Sequence, residues 1–259
     1  MKHLKGIIVP NITPKKDGKL DLESLKRLLY FLINAKVKGI FILGTTGEFQ
    51  YLTLEEKKQV ITTALNLIDG QIPVFVGVSS KDIDETLELA EFAYEKKATA
   101  VVLAPMYYDD PEKIIDLVVN KTHPEILLYN NPKITDGTMI PLKLIEKHNY
   151  PKIIGIKDSS GNEKYFRELL YRRTNKYIVY DGSESFFELV IDFDQGMIAG
   201  SANVIPSLFV DLLNTRDPKL IEQIKKTKTG LYYNENHIKC LKQKLVEMKV
   251  IDSDEMFMK

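Results

Sequence analysis

Residues 125–158 read EILLYNNPKITDGTMIPLKLIEKHNYPKIIGIKD, in which two short apolar runs, EILLYN (125–130) and IIGIKD (153–158), flank a longer, charged stretch. A nearly continuous apolar run is the pattern of a strand buried on both faces, as in a parallel sheet covered by helices. The same rhythm extends outward in both directions, through GIIVPNI (6–12), GIFILG (39–44), PVFVGV (73–78), AVVLAP (100–105), YIVYDG (177–182) and GMIAGS (196–201). Eight such units predict an α/β chain folded as a closed (β/α)8 TIM barrel. A doubly wound open sheet is the main alternative, but no GxGxxG turn follows the first strand candidate.

The intervening segments carry helix-start signals. DLESLKRLLYFLINAKVK, TLEEKKQVITTALNLID and DIDETLELAEFAYEKK each open on an Asp or Thr able to cap the first backbone N–H groups, with acidic residues in the first turn. Beyond residue 213 only helical patterns remain, so residues 1–213 are read as the barrel and 214–259 as a helical extension of the same domain. Lys plus Arg and Asp plus Glu both total 36 of 259 residues, a formal net charge of zero that gives nucleic acid or an anionic membrane no field to follow. Cys240 is the only cysteine, which excludes a disulfide-stapled fold. No apolar run approaches the ~18 residues of a membrane span. A soluble cytoplasmic protein is the resulting expectation.

In a barrel of this class the reactive groups gather at the C-terminal strand ends. Thr45 and Thr46 follow the second strand candidate, Tyr129 lies near the end of the fifth, and Lys157 near the end of the sixth. Gly182 and Ser183 follow the seventh, and Gly200 and Ser201 close the eighth. A lysine closing an apolar strand either snorkels to water or stands in a confined pocket. In the latter case desolvation lowers its pKa and frees the amine to attack a ketone. Tyr129 precedes Lys157 by one β/α unit, which would bring its phenol beside the amine on an adjacent parallel strand, in place for proton transfer. A tyrosine there could equally be a packing aromatic.

The loop GTTGEF (44–49) supplies two hydroxyls and backbone N–H groups suited to a carboxylate, and it lacks the Lys-Ser/Thr ending of a phosphate-binding loop. Glu48 reads as a helix-start or loop-bracing carboxylate in preference to a catalytic one. His3, His123, His148 and His237 are scattered with no HxH, HExxH or CxxC spacing, so no metal site is expected. Nor is there a GxSxG nucleophile elbow.

Taken together, GTTGEF (44–49), YNNP (129–132) and GIKDSSG (155–161), in this order and spacing, resemble the pyruvate-dependent class I aldolases of the dihydrodipicolinate synthase and N-acetylneuraminate lyase superfamily. The resemblance spans about residues 6 to 213 and implies a barrel with a C-terminal helical extension, commonly a homotetramer, that needs no cofactor beyond its own Schiff-base lysine. It makes Lys157 that lysine, Tyr129 the proton shuttle, and Thr45 and Thr46 the pair that binds the keto-acid carboxylate, Thr46 also relaying protons to the tyrosine. Tyr107 or Tyr108 matches an aromatic that lines a neighbouring subunit's site in some members.

Within the superfamily, synthases usually carry an arginine two residues after the proline of the YNxP motif, and here Ile134 stands there. Archaeal aldolases that split 2-keto-3-deoxygluconate do without it, and this chain resembles them most. Where dual-specificity members have basic residues for a phosphate, this chain has Asp109 and Asp110, whose charge opposes one. The expectation is therefore reversible cleavage of unphosphorylated 2-keto-3-deoxygluconate to pyruvate and glyceraldehyde, as in Entner–Doudoroff carbohydrate breakdown, with the sugar hydroxyls met by Asn131, Ser159, Gly182, Ser183 and Ser201. The alternatives are dihydrodipicolinate synthase, N-acetylneuraminate lyase, and a sensor barrel that binds a keto acid without turning it over.

Overall fold

A computed structural model describes residues 4–105, 110–146, 150–173, 177–232 and 236–258 of the chain. Among these, eight parallel strands form the barrel: β1 (Ile7–Pro10), β2 (Gly39–Ile42), β3 (Val74–Gly77), β4 (Ala100–Leu103), β5 (Ile126–Asn130), β6 (Ile153–Asp158), β7 (Ile178–Asp181) and β8 (Gly196–Ile198). The closed order is β1-β8-β7-β6-β5-β4-β3-β2. Every strand residue is buried, which is why the runs show no polar alternation.

The helices α1 (Leu22–Asn34), α2 (Leu54–Ile68) and α3 (Ile83–Glu95) start where their caps dictate. Asp21 accepts from the Ser24 N–H at 2.9 Å and Asp82 from the Asp84 N–H at 2.9 Å. Thr53 and Glu56 close a reciprocal capping box. The chain continues with α4 (Pro111–Lys121), α5 (Lys143–Glu146), α6 (Glu163–Arg172), α7 (Phe187–Asp192) and α8 (Pro206–Thr215). Helices α9 (Pro218–Leu231) and α10 (His237–Glu247) make up most of the helical C-terminal stretch.

One feature lies outside the sequence expectation: a two-residue antiparallel ladder pairs Lys15–Lys16 with Lys19–Leu20. Asp17 and Gly18 turn it with φ of 53° and 74°, the Asp-Gly signature of a tight hairpin.

Internal packing divides the chain into two compact units. One comprises Met1–Lys5 and Phe75–Ile198, the other Gly6–Val74 and Ala199–Lys259. In the first, β5 and β6 carry a register irregularity: Ile126 pairs with Ile153, but Leu127 pairs with Gly155. The extra residue re-aims everything after it, since a one-residue shift exchanges the two faces of a strand. Gly155 is required here, because a Cβ on it would lie 2.2 Å from the Ile178 carbonyl oxygen of β7.

Candidate active site

Past the irregularity, Tyr129 pairs with Lys157 and Asn130 with Asp158, and Asp158 pairs onward with Asp181 of β7. Strand alternation then sorts these residues onto opposite faces. Tyr129 and Lys157 share one face: both are buried, and Lys157 Nζ stands 4.2 Å from the centroid of the Tyr129 ring. The lysine stem runs past Gly182, where a Cβ would lie 2.6 Å from Lys157 Cε and 2.3 Å from Ser159 Oγ. Only a residue without a side chain leaves that path open. Asn131 Nδ2 donates to Tyr129 Oη at 2.8 Å, so the phenol is oriented and its oxygen is already supplied with a donor. Ser159 Oγ, also beside the lysine, is buried and makes no hydrogen bond among the described residues.

The opposite face holds the scaffold. Asp158 accepts from Asn130 Nδ2 at 2.7 Å and from the Ser160 N–H and Oγ at 3.2 and 3.0 Å, fixing the loop after β6. Asn130 Oδ1 in turn accepts from the Ile140 N–H at 2.9 Å. Asp181 gathers the loop after β7 by accepting from the N–H groups of Ser183, Ser185 and Phe186 and from Ser183 Oγ. Burial pushes the Asp158 carboxyl above the usual carboxylate range; its hydrogen bonds from Asn130 and Ser160 pull the other way, and the nearby charge of Asp181 adds to the rise.

The structure thus brings together Tyr129, Asn131, Lys157, Ser159 and Gly182. The Ser183 hydroxyl is turned onto Asp181 rather than toward the lysine. In the other unit, Thr45 and Thr46 occupy a 3-10 turn, Thr45–Gly47, directly after β2. The turn is closed by bonds from the Gly47 N–H to the Gly44 carbonyl and from the Glu48 N–H to the Thr45 carbonyl. Gly200 and Ser201 begin the 3-10 segment Gly200–Asn203. Asn203 Nδ2 ties that segment to the end of β1, donating to the Pro10 carbonyl at 2.9 Å and to the Gly200 carbonyl at 2.8 Å. Tyr107, Tyr108 and Asp109 lie outside the described residues. Asp110 caps α4 by accepting from the Glu112 and Lys113 N–H groups.

The reading from sequence missed Asn130, Asp181 and Asn203. Their signal was available: a polar residue in or just after an otherwise apolar strand needs a buried partner. Among the described residues no group of three or more His, Cys, Asp or Glu side chains is placed to hold a metal ion. No helix there is long and apolar enough to cross a membrane.

Comparison with known proteins places the chain in a family. The model of the dihydrodipicolinate synthetase family matches residues 3–245. The chain is 30% identical over 228 residues to a 4-hydroxy-tetrahydrodipicolinate synthase of Thermodesulfovibrio yellowstonii, covering 86% of this chain and 78% of the relative. It is 29% identical over 218 residues to the corresponding synthase of Kosmotoga olearia, covering 81% and 74%. Among solved structures, dihydrodipicolinate synthase from Bacteroides thetaiotaomicron superposes with a TM-score of 0.91 at 31% identity, over 98% of this chain and 91% of that one.

Proposed function

The chain belongs to the dihydrodipicolinate synthetase family, whose members are pyruvate-dependent class I lyases working through a lysine Schiff base without an external cofactor, and from that premise we propose that it reversibly cleaves 2-keto-3-deoxygluconate to pyruvate and glyceraldehyde. The Lys157 amine adds to the C2 ketone and water leaves, giving an iminium. As the C3–C4 bond breaks, its electron pair flows into the iminium to form an enamine, and Tyr129, which gave its own proton to the hydroxyl departing as water in iminium formation, accepts the proton of the C4 hydroxyl. Glyceraldehyde departs. Protonation at C3 and hydrolysis then release pyruvate and restore the amine. The Asn131 amide, 2.8 Å from the phenol oxygen, holds Tyr129 in place and stabilises the phenolate that exists before it takes up the C4 proton. Ser159 Oγ supplies a hydrogen bond to a sugar hydroxyl, and the motif assigns the C1 carboxylate to Thr45 and Thr46.

The observation that carries the choice of substrate is Ile134. A synthase must hold a second substrate with its own carboxylate, and a half-buried isoleucine in the turn after β5 cannot neutralise one. A neutral polyol needs no such charge. Acidic Asp109 and Asp110 likewise disfavour a phosphate, so the unphosphorylated acid is preferred. A second reading, condensation of pyruvate with aspartate semialdehyde, is favoured by the names of the two relatives.

The test is pyruvate release from 2-keto-3-deoxygluconate, its 6-phosphate and N-acetylneuraminate, together with the synthase assay, in the native chain and in Lys157→Ala. Fast release from the unphosphorylated sugar acid, abolished in the variant, is expected. Turnover of aspartate semialdehyde with none of the sugar acids would establish the second reading. Borohydride with pyruvate should fix an adduct on Lys157, and labelling of another lysine would overturn the mechanism. The assembly we expect is a homotetramer.

A further inference from the structure

The GTTGEF loop ends in a contact that the reaction does not use. Glu48 sits in the left-handed backbone region, φ 55° and ψ 32°, where a residue with a side chain needs to be held. Its carboxylate is almost wholly buried against the equally buried Lys242 of α10, with Nζ 2.5 Å from Oε2. The other oxygen, Oε1, accepts from the backbone N–H groups of Phe257 and Met258 at 2.8 and 3.0 Å. Lys242 Nζ also donates to the Glu255 carbonyl at 2.6 Å. The Glu255 carboxylate accepts from the Asp17 and Gly18 N–H groups at 2.9 and 3.0 Å, and Lys15 Nζ reaches the Met256 carbonyl at 3.1 Å. Residues 252–258 are therefore fastened both to the Asp17–Gly18 hairpin and to the loop that carries the two threonines.

Burying two opposite charges costs desolvation that a pair of apolar side chains would avoid, so stability alone is a poor account of this pair. What it supplies is direction. Three donors, Lys242 Nζ and the Phe257 and Met258 N–H groups, converge on one carboxylate, and the backbone N–H of that residue closes the turn holding Thr45 and Thr46. We propose that residues 252–258 form a positioning strap for the GTTGEF loop, with Glu48 and Lys242 as positioning residues for binding the keto-acid carboxylate. The proposal rests on the role given above to Thr45 and Thr46.

The probe is pyruvate alone, read as the rate of borohydride trapping on Lys157 against pyruvate concentration, which is independent of the aldehyde. Phe257→Pro with Met258→Pro removes both backbone donors near the chain end and leaves the barrel sequence untouched. It should raise the half-saturating pyruvate concentration about fivefold, with maximal trapping rate and Tm little changed. Glu48→Ala and Lys242→Met should move half-saturation further, and Glu48→Gln, which keeps the acceptor oxygen, less than Glu48→Ala. Strap variants with native half-saturation beside a Thr46→Val variant with a raised value overturn the strap and leave the loop's role standing. Native half-saturation in Thr46→Val overturns that role itself. Lowered Tm and trapping rate with half-saturation unchanged would make Glu48 and Lys242 merely structural, which also overturns the proposal.

Discussion

Gly182 is defined by what it lacks. A single methyl group there would overlap both Lys157 Cε and Ser159 Oγ, and the lysine, confined by the Tyr129 ring, has little room to yield. Gly182→Ala should fold normally by circular dichroism yet lose more than about a hundredfold in the rate of borohydride trapping with pyruvate. Asn131→Ala makes the complementary case. It removes the 2.8 Å donor to Tyr129 Oη, and kcat should fall about tenfold, the equivalent of ~1.4 kcal/mol, with KM little altered. Steady-state kinetics separate the two: an Asn131→Ala effect confined to KM would mean the amide binds substrate instead of tuning the phenol. Tyr129 and Lys157 were legible in the sequence because residues one β/α unit apart meet on adjacent parallel strands. Ser183 was assigned to the substrate from its position alone. Its hydroxyl bonds to Asp181 two residues back, a local competition that strand spacing does not reveal.

At the scale of elements, β5, β6 and β7 present a row of Asn130, Asp158 and Asp181 behind the reactive face. Because burial raises the Asp158 pKa above its ordinary 3.8, the sign of its pH dependence follows directly. The folded state binds its proton more tightly than the unfolded chain does. Its contribution to stability is thus fully present below 3.8 and is lost as pH rises through the raised folded value. Asp158→Asn should abolish that decline, so denaturant midpoints measured across this window should be flatter in the variant than in the native chain. A decline of equal size in both would assign it to another group. The strands were readable from apolar runs, and the first three helices from their capping residues. The irregularity between β5 and β6 was not, since Ile153, Ile154 and Gly155 all read as strand and only the close approach of β7 distinguishes them.

For the whole molecule, the eightfold repetition of one pattern made the barrel legible, because each unit offers the same apolar faces for burial. Contacts between remote positions were not legible: Glu48 and Lys242 are 194 residues apart, and neither lies in a motif that points to the other. The expected homotetramer belongs to this scale as well. Sedimentation equilibrium should give four copies of the 29.7 kDa chain, and a monomer active at full rate would count against it. The remoteness of Glu48 from its partners also has a consequence for biosynthesis. Translation is vectorial, so the ribosome delivers the threonine loop long before α10 and residues 257 and 258, by roughly 10–40 s at ~5–20 residues per second. Through that interval a nascent barrel holds a carboxylate whose buried partners do not yet exist, and the loop can reach its final form only after residues 257 and 258 have been added.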